Sequence, residues 1–127
     1  ELKDTNFTAF SAQISTKMGL DLTQKEHAIY LKKCSHLTDY SESQLIAAQS
    51  REAGIEIIKY LSVRDPNRFP NLAVLNCNVF TSRKPTNRHT WRISFFKNVA
   101  HAHREHPRKT ITFKIRDFNH DPRINIV

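Results

Sequence analysis

Apolar residues in the first half of the chain recur at intervals of three and four, which is the spacing of one helix face. The first stripe consists of Phe7, Phe10, Ile14 and Met18. It ends before Gly19, and glycine is the residue that most often terminates a helix. Two further helix starts have the spacing of a capping box, one at Thr23 and one at Ser41. The pattern therefore predicts three helices within residues 1–64.

The third predicted helix is the longest and runs from Ser41 to the Asp65-Pro66 pair, because a residue before proline disfavours the helical conformation. Its apolar arc is wide, which indicates burial on more than one side. Gly54 lies inside this arc, where glycine costs about 1 kcal/mol relative to alanine. We therefore expect Gly54 to permit a close approach of another backbone.

Apolar and polar residues alternate in the second half of the chain, which is the pattern of half-buried strands. Strands are predicted over residues 72–81, 90–97 and 110–116. In the second of these, one face carries Trp91, Ile93 and Phe95, and the other carries Arg92, Ser94 and Phe96. Ile124 and Ile126 alternate in the same way and predict a short last strand. The apolar faces are expected to pack on the helices.

Together these patterns predict one α+β domain over residues 1–127. An N-terminal three-helix segment would pack on a C-terminal, mostly antiparallel sheet of three to five strands. The length and the balance of apolar and charged residues are sufficient for a domain with its own core.

Two cysteines, Cys34 and Cys77, form no C-x-x-C pair, so neither a thiol-ligated zinc site nor a disulfide framework is indicated. A reduced, intracellular chain, in the cytoplasm or with the nucleoid or nucleus, is therefore expected. The sequence contains no apolar run of membrane-spanning length, and no membrane partner is predicted.

The net charge of +8 is distributed unevenly along the chain. Residues 1–64 contain eight Lys and Arg and eight Asp and Glu, whereas residues 65–127 contain twelve against four. The predicted domain thus consists of a neutral helical scaffold half and a basic β-rich half. Such asymmetry indicates a polyanionic partner, nucleic acid first and an acidic protein as the alternative.

The basic half supplies the residues predicted to contact nucleic acid. Its loop over residues 82–89 contains three cations and no acid, which suits a grip on phosphates. Phe80 and Phe96 are the candidates to stack on bases. These residue types do not distinguish DNA from RNA. The predicted contacts to the backbone are Arg83, Lys84, Arg88, Arg92, Lys97, Arg104, Arg108, Lys109, Lys114 and Arg116.

Three clustered histidines, His101, His103 and His106, are the candidate catalytic residues. In a strand His101 and His103 would share a face, whereas in a helix from Asn98 to Pro107 His103 and His106 would be neighbours. The flanking Asn and Pro favour the helix. The cluster could perform acid–base catalysis, ligate a metal, or add charge near phosphate. Acids nearby are few and H-E-x-x-H is absent, so neither a metal nor a cofactor is predicted.

Two resemblances bear on function. His101-Ala102-His103 resembles the H-hydrophobic-H core of rolling-circle and relaxase endonucleases over three residues, but all three tyrosines lie in the other half of the chain. Helices followed by a compact antiparallel sheet resemble the layout of small ribonuclease toxins, which implies nothing about function by itself. The sequence predicts a basic nucleic-acid-binding domain. The alternatives are a small, metal-independent, toxin-like ribonuclease and an interaction domain for an acidic protein.

Overall fold

The structure is a computed structural model that describes residues 4–124. The chain divides into two compact units. The central unit is Ile14–Thr81, and the sheet unit joins the flanking segments Glu1–Gln13 and Ser82–Val127. The elements in chain order are β1 (Thr5–Ser11), β2 (Gly19–Asp21), α1 (Ala28–Lys33), α2 (Ser41–Glu52), β3 (Ile57–Leu61), β4 (Pro70–Val74), β5 (Thr86–Phe95), β6 (Val99–Arg104) and β7 (Lys109–Lys114). Short 3-10 helices cover Lys25–His27, Cys77–Val79 and Ile115–Phe118.

The N-terminal three-helix segment predicted from the sequence is wrong. The described chain has two α-helices and two sheets, and its first element is a strand, β1. The segment Thr5–Ser11 is nevertheless compatible with a strand, because its Thr and Phe residues have high strand propensity. What decides between the two is the antiparallel pairing of β1 with β5, which places Phe7 opposite Trp91. This partner lies more than 80 residues away, so local periodicity does not reveal it.

The third predicted helix is half right, since it begins at Ser41 but ends at Glu52. Gly54 follows in the left-handed conformation with φ of 76°. The N–H of Ile55 donates to the carbonyl of Ser50 at 2.9 Å, and that of Gly54 to Arg51 at 3.0 Å. These two bonds are the Schellman arrangement that ends a helix. The apolar residues beyond Gly54 form β3, the central strand of the second sheet.

Gly54 is therefore needed for its backbone conformation and not for close packing. A Cβ built at Gly54 meets no atom within 4 Å. We expect Gly54→Ala to lower the free energy of unfolding by about 1 kcal/mol, since alanine is disfavoured at positive φ. Gly19→Ala is the control, because a Cβ there makes an ordinary 3.7 Å contact with Thr16 and needs no positive φ. Equal effects in urea unfolding would contradict this assignment.

The core of the central unit is built from residues of α2, of the sheet β2-β3-β4 and of the segments beside its strands. β2 is parallel to β3, and β4 is antiparallel to it. The fully buried side chains are Leu22 and Val79. Ile46 from α2 and Ile57 and Ile58 from β3 complete the buried apolar set.

The sheet unit is a four-stranded antiparallel sheet in the order β1-β5-β6-β7. Alternation along the strands gives it two chemically distinct faces. The apolar face carries Phe7, Trp91, Ile93, Phe95, Ala102, Ile111 and Phe113. The strand predicted over residues 90–97 is present and begins earlier, at Thr86, so that part of the predicted 82–89 loop is strand.

Three other predictions concern the second half of the chain. The strand predicted over residues 72–81 ends at Val74, and a 3-10 helix at Cys77–Val79 follows it. The strand predicted over 110–116 ends at Lys114. The proposed last strand involves Ile126, which lies outside the described residues. Among the described helices, none is long and apolar enough to span a membrane.

Candidate functional site

The second face of the sheet unit, called the polar face here, collects polar and cationic side chains from all four strands. One row across the sheet runs Asn6, Arg92, His103 and Thr110. A neighbouring row runs Ser94, His101 and Thr112. Thr8 and Thr90 pair beside the first row. The alternation predicted for Arg92 and Ser94 is thus present in β5.

The histidines at 101 and 103 lie on strand β6, so the helix predicted for this segment is wrong. The strand alternative is the one found, and both side chains share the polar face. β6 pairs with β5 on one side and β7 on the other, and these ladders satisfy its backbone without a helix. Asn98 lies in the turn before the strand, and Pro107 lies in the turn after it.

Threonine hydroxyls on β7 hold both of these histidine rings. His101 Nδ1 lies 3.0 Å from Thr112 Oγ1, and His103 Nδ1 lies 2.9 Å from Thr110 Oγ1. The hydrogen bonds that the rings make to described residues both use Nδ1. Nε2 is therefore the nitrogen that each ring can offer to a ligand. Phe96 supports His101 through an edge contact with ring centroids 5.4 Å apart.

A recess of about 520 Å³ opens on the polar face. Its lining comprises Asn6, Arg88, His89, Thr90, Arg92, His103, Glu105 and His106. Glu105 is the one acid among these residues. Arg88 and Arg92 are exposed and form no ion pair with the described residues, so their charges are available to a ligand. The recess therefore presents cations, imidazoles and hydroxyls to an anionic group.

The other predicted phosphate contacts are distributed over several parts of the sheet unit. Arg104 and Lys109 face the opposite side, where the Arg104 guanidinium lies 5.1 Å from the ring of Trp91. Arg116 lies in the 3-10 helix after β7 and pairs with Asp117 at 3.8 Å. Lys114 falls on the polar face by register. Exposed turns and loops carry Arg83, Lys84, Lys97 and Arg108.

The two predicted stacking residues are placed differently. Phe96 is exposed and contacts His101 at the edge of the polar face. Phe80 belongs to the central unit, where it forms an isolated bridge with Ile14. It is therefore not a residue of this sheet.

Several residues of the polar face were not identified from the sequence. Thr110 and Thr112 were visible in the alternation of β7, but their bonds to histidine depend on the register between strands. Asn6 gave no signal because its segment resembled a helix. His89 and Glu105 join the recess only once the sheet has formed.

Within residues 4–124 no three His, Cys, Asp or Glu side chains are grouped closely enough to hold a metal ion. Comparison with protein families matches residues 1–95 to a model described as the RES domain. The matched segment includes the whole central unit together with β1 and β5 of the sheet unit. β6 and β7, with His101, His103 and His106, lie beyond it. No curated protein matches the chain.

Proposed function

This chain belongs to the RES domain family, and we propose that it binds the phosphate backbone of nucleic acid through the polar face of its sheet unit. One observation carries the proposal: Arg88 and Arg92 line the same open recess, and no ion pair within residues 4–124 neutralises them. Phosphate groups are bound mainly by arginine, lysine and polar side chains, and these are the groups that this face presents.

The distribution of charge between the two units supports nucleic-acid binding through the sheet unit. The sheet unit contains twelve Lys and Arg against five Asp and Glu, a net charge of +7, whereas the central unit contains eight against seven. Nearly all of the attraction for a polyanion therefore arises from the sheet unit. Lys114 on the polar face and Arg83 and Lys84 in the loop before β5 add cations that a longer strand of nucleic acid can reach.

The geometry of β5 suits contacts with more than one phosphate. Arg88 and Arg92 are four residues apart on one strand, which separates their Cα atoms by about 13 Å. Asn6, Thr90 and Thr110 lie around them and offer donors to the remaining phosphate oxygens. Such contacts fix position on the backbone and carry no sequence information.

Fluorescence anisotropy with labelled single-stranded RNA, single-stranded DNA and duplex DNA tests the proposal. We expect the logarithm of affinity to fall linearly with the logarithm of salt concentration between about 50 and 200 mM, since binding releases counterions. A mononucleotide serves as competitor. Full displacement by a stoichiometric mononucleotide would contradict backbone binding and would indicate a site for one small nucleotide.

A specific observation favours a second function, cleavage of RNA. His103 and His106 line the recess that also holds Arg88 and Arg92. Cleavage through the 2′-hydroxyl needs one group to accept its proton and another to protonate the leaving oxygen, and two imidazoles can supply both roles. The arginines would offset the charge that develops on the phosphate.

Replacing the three histidines distinguishes nucleic-acid binding from RNA cleavage. If they only add charge, as we expect, joint replacement of His101, His103 and His106 by Gln should weaken binding modestly and only at low pH. The sign follows because an imidazole adds positive charge only in its protonated form, which low pH favours. Gel assays of labelled RNA in the presence of chelator provide the measurement. RNA cleavage by the wild type that the variant loses by about 10²–10⁴ in rate would establish the ribonuclease instead.

A further inference from the structure

A second cavity, of about 290 Å³, lies within the central unit and is called the central cavity here. Its apolar wall is formed by the buried side chains of Leu22, Ile46 and Ile58 with Ala47 and Ala73 beside them. Leu22, Ile46 and Ile58 are almost fully buried, so the half-buried Ala47, Tyr60 and Ala73 supply apolar surface that a ligand can reach. The volume lies near the lower end of the range for small-molecule sites.

Arg64 stands at the polar side of this cavity. Its guanidinium lies 5.9 Å from the ring of Tyr40 and donates through Nη2 to the carbonyl of Leu37 and the hydroxyl of Tyr40. These bonds fix the group while leaving Nε and Nη1 without a partner among the described residues. No carboxylate in residues 4–124 forms an ion pair with Arg64. The cavity thus has an oriented cation at its rim.

Arg64 is the one Lys or Arg among the residues that line the central cavity. His36 Nδ1 accepts the backbone N–H groups of Asp39 at 2.7 Å and Thr38 at 3.2 Å, so Nδ1 is already engaged within the chain. Burial, with a smaller contribution from the charge of Glu42, raises the pKa of the Cys34 thiol and keeps it protonated. The lining contains no Asp or Glu. Arg64 therefore has no carboxylate beside it in the lining to compete with an anionic ligand.

We propose that the central cavity binds a small organic monoanion whose apolar body contacts Ala47, Tyr60 and Ala73 and whose carboxylate pairs with Arg64. A carboxylate matches the guanidinium in charge and in hydrogen-bonding geometry. A phosphate dianion would leave one charge uncompensated against a mostly apolar wall, which is costly. The site is separate from the polar face, and the inference does not depend on nucleic-acid binding.

Three probes of one shape and different charge test the chemistry: 2-naphthoate, its neutral amide, and 2-naphthyl phosphate. Binding is measured by titration calorimetry on the full chain, and amide NMR shifts of Ala47 and Ala73 locate the probe. We expect 2-naphthoate to bind at least about tenfold more tightly than either of the others and to shift both amides. Equal affinity for acid and amide, tighter binding of the phosphate ester, or no binding of any probe would overturn the proposal.

Arg64→Gln provides the matched test of the cation. We expect the variant to bind 2-naphthoate about tenfold or more weakly and to bind the neutral amide as the wild type does. Arg68→Gln removes the same charge from an exposed position outside the lining and should change neither affinity. Arg64→Lys, which retains the charge, should recover part of the affinity. Equal losses in the Arg64→Gln and Arg68→Gln variants would show that only overall charge matters and would overturn the pairing.

Discussion

Joint replacement of Arg88 and Arg92 by Gln is expected to lower affinity for single-stranded nucleic acid by at least about tenfold near physiological salt. The two side chains share the recess of the polar face, and no ion pair with a described residue competes for them. Each phosphate contact on a single strand contributes about 0.7 to the slope of log affinity against log salt. Losing two contacts should therefore flatten that slope by about 1.4.

Lys32 and Lys33 are the matched control for this experiment. They are exposed at the end of α1 in the central unit, and replacing both by Gln removes the same net charge from the chain. If binding is local to the polar face, this variant should keep nearly the whole affinity and salt slope of the wild type. Equal losses in the two double variants would refute a local site and leave only general attraction.

The two faces of β5 were predictable from the sequence, because strict alternation depends on local chemistry alone. Trp91 and Ile93 fall on the apolar face and Arg92 on the polar face, as the alternation predicts. The pairing that completes the polar face was not predictable. Asn6 reaches Arg92 only through the ladder between β1 and β5, and no local pattern encodes a pairing over such a distance.

Too many helices were predicted where a local helix signal conflicted with a turn or strand signal. Gly54 in the middle of a long apolar arc marks a helix end followed by a strand, because Ile55 closes the Schellman turn. In the histidine segment, Asn98 and Pro107 suit a helix start and stop, but both residue types also favour turns. Flanking strands on both sides then stabilise β6. Tertiary pairing outweighed weak local helix propensity in each case.

The chemical character of the candidate site was more predictable from the sequence than the set of residues that form it. Most of the cations in the second half of the sequence lie in the sheet unit. Spacing along the chain did not reveal that Arg104 would stack on Trp91, or that Arg116 would leave the sheet for a 3-10 helix. Whether a cationic side chain lies on the polar face depends on where each strand begins and ends. These limits depend on long-range packing.

The largest effect on stability is expected from Leu22→Ala in the central unit. Leu22 is 1% exposed, lies directly after β2, and lines the central cavity together with the buried Ile46 and Ile58. Truncating a buried leucine costs about 2–5 kcal/mol through lost burial and the space that remains. The cost should be high in that range, because Leu22 already borders the central cavity and the truncation enlarges an existing void.

Leu45→Ala makes the same chemical change on α2, where the side chain is 53% exposed, and should cost less than about 1 kcal/mol. Urea unfolding followed by tyrosine signals provides the measurement, since all three tyrosines lie in the central unit. Trp91 emission follows the sheet unit in the same samples. Because single domains are stable by only about 5–15 kcal/mol, Leu22→Ala should shift the tyrosine midpoint clearly. Similar midpoints for the two variants would mean that Leu22 is not a core residue of this unit.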